Sequence, residues 1–152
     1  MLTLLSVAFA APPVAPTIEP VDRAALKAEL YGPSEAKARM YNFWATWCGP
    51  CKEELPRLKA WALAHPELQL TFVDLDLPRL AENVVAPYIA SQGLQDFRHL
   101  VLADDDQPAA LRELLPGWSD AVPVTLVVGP DGGVLHRFDT NVSDAQLATV
   151  EP

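Results

Sequence analysis

The stretch Asn42-Phe43-Trp44-Ala45-Thr46-Trp47-Cys48-Gly49-Pro50-Cys51 decides the fold. On its near side, Arg39 to Ala45 is a short aromatic-rich run bounded by polar segments, which predicts a buried strand. On its far side, Leu55, Leu58, Trp61 and Ala62 recur at helical spacing until His65-Pro66, which predicts a helix starting near Pro50. Pro56 falls inside that helix and is expected to kink it, because its ring removes a backbone donor. Cys48 therefore stands at a strand-to-helix junction, where unpaired N–H groups and the helix dipole favour an anion. The thiolate is the reactive form of cysteine, so the position activates Cys48. Pro50 sits where a missing N–H costs nothing. Cys51 lies about one turn further in, close enough to attack a mixed disulfide formed at Cys48.

Other readings of the pair fare less well. A tetrahedral zinc site needs two more ligands, yet there is no second cysteine pair, and His65, His99 and His136 are scattered singly. Two inert buried cysteines fit poorly with the flanking Trp47 and Gly49-Pro50. A structural cross-link also fits poorly, since so small a loop constrains the unfolded chain very little.

Outward from the pair, strands and helices alternate. Asp22 to Tyr31 reads as a first helix, with Asp22 as N-cap and Gly32-Pro33 as stop. Leu68 to Asp74 alternates like a strand, Pro78 to Gln92 reads as a helix stopped by Gly93, and His99 to Leu102 as a short strand. Gln107 to Leu115 is a short helix, with Asp104-Asp105-Asp106 as the solvated turn that caps it. Val124 to Val128 and Val134 to Phe138 form a hairpin across Gly129 to Gly133, and Ser143 caps a brief last helix. This order implies an α/β domain: a central, mostly parallel sheet with a C-terminal antiparallel hairpin and helices on both faces. Trp44, Trp61 and Trp118 read as packing residues.

The chain has 152 residues, room for one domain. Residues 1–11 are an apolar run ending Ala8-Phe9-Ala10-Ala11 and read as a signal peptide, although no Lys or Arg precedes the run. No cysteine follows to take a lipid, so no membrane anchor is expected after cleavage. Residues 12–21 read as a Pro-rich linker and 22–152 as the domain. With 20 acidic against 11 basic residues and a net charge of −9, nucleic acid is not an expected partner.

Trp47-Cys48-Gly49-Pro50-Cys51-Lys52 resembles the active-site motif of thioredoxins, and the wider stretch Asn42 to Pro56 is similar to the exported TlpA/ResA/DsbE-type relatives. The likeness runs from about Ala38 to Ala148. It implies a thioredoxin-like fold and a thiol–disulfide oxidoreductase with no cofactor or metal. Cys48 is the implied nucleophile and Cys51 the resolving thiol. Thioredoxins typically place a buried Asp where this chain has Asn42. The exported relatives often carry a Glu at the position of Glu54, which helix spacing also sets beside Cys51. A partly buried carboxylate there could take and return the Cys51 proton. In such proteins the proline matching Pro123 is cis beside the redox pair. By that likeness Val122 and Pro123, with Trp47, Gly49 and Pro50, form the substrate-docking surface. The implied partners are disulfides of extracytoplasmic proteins, apocytochrome c among them, and a membrane electron donor. Gly49-Pro50 matches the reducing thioredoxins. A disulfide-donating oxidase or isomerase, or a copper-binding metallochaperone module, are the alternatives.

Overall fold

Every residue of the strand Arg39–Trp44 is buried, as expected of a strand with sheet neighbours on both sides and layers on both faces. The computed structural model describes residues 14–151. Its strands are β1 (Ile18–Val21), β2 (Arg39–Trp44), β3 (Gln69–Asp74), β4 (Arg98–Leu102), β5 (Val124–Val128) and β6 (Val134–Phe138). Its helices are α1 (Arg23–Tyr31), α2 (Gly49–Ala64), α3 (Ala86–Ser91), α4 (Gln107–Leu114) and α5 (Asp144–Leu147). The strands form one sheet in the order β1-β4-β3-β2-β5-β6. The pairs β1–β4, β4–β3 and β3–β2 are parallel, and β2–β5 and β5–β6 antiparallel. The expected α/β architecture is therefore present, hairpin included.

Two expectations change. Ile18–Val21, assigned above to the linker 12–21, is the edge strand β1, paired in parallel with His99 to Leu102. Its sequence carries no clear alternation, and Pro20 is tolerated because an edge strand can spare a donor. The segment 78–92 is not one regular helix. It runs as a 3₁₀ turn (Pro78–Leu80), a wide π-type turn (Ala81–Val85) and then α3. Pro87 lacks an N–H and its ring crowds the preceding turn, and the π turn immediately before α3 accommodates it. The helix expected from near Pro50 to His65 is α2, which runs from Gly49 to Ala64 with Pro56 inside it. The proposed signal peptide lies outside the described residues. Among the described residues no helix is long and apolar enough to cross a membrane.

Side-chain caps start the helices where the sequence places them. Asp22 accepts from the Ala25 amide, Asp106 from Ala109, and Ser143 forms a reciprocal capping box with Gln146. Asp104 is engaged differently, receiving Arg23 Nε and Nη2 at 2.7 Å each. The hairpin turn needs Gly132: its φ is +84°, and a Cβ there would stand 2.0 Å from the Tyr31 carbonyl oxygen.

In the core, Phe72 is fully buried on β3, edge-on to Phe97 and stacked on His99 with centroids 5.3 Å apart. Phe72→Ala is expected to lower unfolding free energy by about 3–5 kcal/mol. Leu135→Ala on the exposed face of β6 should change it by less than about 0.5 kcal/mol. Urea titration of both variants checks this contrast.

Candidate active site

The buried strand β2 ends at Trp44, and four residues later the chain enters α2 with Cys48 as N-cap. The Cys51 amide donates to Cys48 Sγ at 3.2 Å, so the helix N-terminus presents a backbone donor to this sulfur. Cys48 and Cys51 are joined in a disulfide, with Cα atoms 5.3 Å apart. Cys48 keeps 5% exposure, and Cys51 has none. Only the first sulfur therefore meets an incoming partner. The junction itself is tied to β3: Thr46 donates through its amide and its hydroxyl to Asp76, at 2.7 and 2.8 Å. This anchor went unseen in the sequence, because Asp76 follows a strand by two residues and carries no motif.

The Val122–Pro123 peptide is cis, as the resemblance implies, and the Val122 carbonyl oxygen lies 3.6 Å from Cys48 Sγ. Trp47 is 67% exposed at the rim. Trp47, Cys48, Gly49, Pro50 and Val122 all line one cavity of about 440 Å³, whose far wall is Leu75, Leu111 and Trp118. The side-chain donors of that wall are already engaged. Gln107 Nε2 donates to Leu102 O and Asp76 O, Trp118 Nε1 to Ala121 O, and Asp120 accepts from Arg112. What the cavity offers a ligand is chiefly apolar surface.

Glu54 is fully buried on α2, deeper than the partly buried position expected for it. Asn42 Nδ2 donates to its Oε1 at 2.6 Å and the Val142 amide to its Oε2 at 2.7 Å. Asn42 Nδ2 also reaches Thr125 Oγ1 at 3.0 Å. The residue that departs from the thioredoxin pattern is thus Glu54's direct partner. Burial pushes the Glu54 carboxyl up to about 7, against the opposing pull of the Val142 and Asn42 donors and the Arg57 cation. A carboxyl that titrates near neutrality can both accept and return a proton. A second buried acid, Asp74, is pushed up to about 8 by burial and by the adjacent Asp76 carboxyl.

A redox disulfide at a helix N-terminus, beside a cis-proline at the start of a strand, defines a thioredoxin-fold dithiol site. The thioredoxin family model matches residues 19–104, more than half of the chain. This chain belongs to the thioredoxin family. Sporulation thiol-disulfide oxidoreductase A of Bacillus subtilis is 33% identical over 64 residues, covering 41% of this chain and 39% of that protein. The thiol:disulfide interchange protein DsbE homolog of Paracoccus denitrificans is 31% identical over 100 residues, covering 65% and 49%. The matched region thus spans about two fifths to one half of these relatives. Among solved structures, a thioredoxin-family thiol:disulfide interchange protein from Chlorobium tepidum superposes with a TM-score of 0.58 at 24% identity, over 91% of this chain and 93% of that one. StoA from Bacillus subtilis gives a TM-score of 0.57 at 23% identity, over 76% and 82%. Both likenesses concern the fold.

The raised Glu54 carboxyl has a consequence for stability. Its folded value lies above the ordinary 4.5, so its contribution is fully present below pH 4.5 and is lost as pH rises through about 7. Glu54→Gln removes that loss. The oxidised variant should gain up to about 3 kcal/mol relative to the parent between pH 4.5 and pH 8. Asp74 titrates in both proteins and cancels. Denaturant unfolding of the two oxidised proteins at both pH values measures the difference.

Proposed function

We propose that this chain is an exported thiol–disulfide oxidoreductase that reduces disulfides of extracytoplasmic proteins, with cytochrome c maturation as one setting. The observation that carries the reading is the Cys48–Cys51 disulfide capping α2, with Val122-Pro123 against Cys48 and Glu54 buried one turn beyond Cys51.

In the reduced protein the Cys48 thiolate attacks a substrate disulfide. One substrate sulfur leaves as a thiolate, and a mixed disulfide forms at Cys48. The Glu54 carboxylate takes the Cys51 proton, and the Cys51 sulfur attacks Cys48 Sγ. The second substrate thiolate departs and is protonated. Two electrons have passed to the substrate, and the Cys48–Cys51 bond has re-formed. Trp47, Gly49, Pro50, Val122 and Pro123 form the docking surface, whose apolar cavity suits a side chain flanking the substrate cysteine. A membrane electron donor would restore the dithiol. The apolar run at residues 1–11 and the likeness to the DsbE homolog support placement outside the cytoplasm.

Insulin reduction tests the chemistry. Cys48→Ser should abolish turnover, and Cys51→Ser should accumulate a mixed disulfide that does not resolve. Alkylation trapping in cells tests the direction of flow. A mostly dithiol Cys48–Cys51 pair and a reduction potential below about −200 mV are expected of a reductase. A mostly disulfide pair with a potential above about −150 mV would reverse the direction and favour a disulfide donor.

A further inference from the structure

The loop after β6 reaches back onto α2 at a place that the exchange chemistry does not explain. Asn141 Nδ2 donates to the Pro50 carbonyl at 2.9 Å, while Asn141 Oδ1 accepts from Arg57 Nη1 at 3.0 Å. The same Nη1 donates to the Val142 carbonyl at 2.5 Å. Pro50 and Arg57 stand two helical turns apart on α2, and Glu54 lies between them. Between those two anchors the Val142 amide meets Glu54 Oε2. One peptide unit of Val142 therefore holds the carboxyl, and the next is held by Arg57.

The loop is also held by apolar packing and a local cap. Val142 is fully buried, Leu147 nearly so, and the Ser143 capping box orders the chain that follows. What Asn141 adds is aim: it bridges the first turn of α2 to Arg57, directly across the carboxyl. We infer that Asn141 and Arg57 are positioning residues, which together seat the Val142 amide on Glu54 and so orient that carboxyl for proton exchange with Cys51. The inference rests on the reading of Glu54 as the proton carrier. The groups facing Glu54 are few. From α2 come Arg57 and, once reduced, the Cys51 thiol. β2 and β5 contribute Asn42 and Thr125, which do not titrate in this range. The loop contributes Val142, while Asp144 at the start of α5 is paired with Arg57 Nε at 3.2 Å.

A double-mutant cycle distinguishes positioning from general support. Reduced protein is mixed with oxidised glutathione between pH 5 and 9, and formation of the Cys48–Cys51 disulfide is followed in single turnover. Asn141→Ala and Arg57→Met should each slow resolution about five- to ten-fold, the worth of one well-placed hydrogen bond. Arg57→Met should also move the pH midpoint upward, because a cation favouring the carboxylate is gone. In a Glu54→Gln background neither substitution should slow the reaction further. Equal slowing in both backgrounds would overturn the inference. So would unchanged rates in Asn141→Ala and Arg57→Met when Glu54→Gln itself is slow. If instead Glu54→Gln alone leaves rate and pH profile unaltered, the proton-carrier reading falls and takes this inference with it. Thermal melting reports folding of each variant, and Arg57→Met carries the test by itself if Asn141→Ala does not fold.

Discussion

The hydrogen bond from the Cys51 amide to Cys48 Sγ exists only because a buried strand ends four residues before a helix begins. Burial of β2 on every residue fixes where its C-terminal end emerges from the sheet, and the apolar stripe of α2 fixes how the helix lies on it. The two together leave Cys48 no other place than the N-cap, where helix amides have no internal acceptor. Thr46, doubly bound to Asp76, ties the intervening turn to the end of β3. The reactive sulfur is thus held from the strand side and the helix side at once.

Around this junction the two sulfurs acquire different surroundings. Cys48 faces the cis Val122–Pro123 peptide and a mainly apolar cavity in which the Gln107 and Trp118 donors are internally bonded. Cys51 faces the interior, where Glu54 shares its helix face and draws its donors from β2 and from the loop after β6. Desolvation alone would favour a neutral carboxyl; the two donors and Arg57 pull the other way. Their near balance puts the group where neither protonation state is strongly excluded at neutral pH. That balance is a property of three separate segments: α2 supplies Glu54 and Arg57, β2 supplies Asn42, and the loop after β6 supplies Val142.

Much of this was legible before any coordinates. Cys48, Cys51 and Pro50 could be placed on a strand-to-helix junction because local patterns, an aromatic run and a helical stripe, meet there. Asp22, the Asp104-Asp105-Asp106 turn and Ser143 were legible as caps, since capping is a contact over three residues. Less was legible where a distant partner decides. Ile18–Val21 is a strand only because β4 offers it an edge. Segment 78–92 departs from regular helix because Pro87 is absorbed by a local widening, which periodicity does not register.

The site divides along the same line. By itself the chain determined a redox pair, its order of attack and a family likeness that nominated Glu54 and Pro123, because spacing and helix-end chemistry are local. Only the tertiary structure decided that Glu54 is fully buried, that Asn42 is its partner, and that Asn141, Val142 and Arg57 close over it. The physical reason is that a carboxyl's proton affinity depends on the solvent it loses and the donors it meets. Here those donors lie 12 and 88 residues away in the chain.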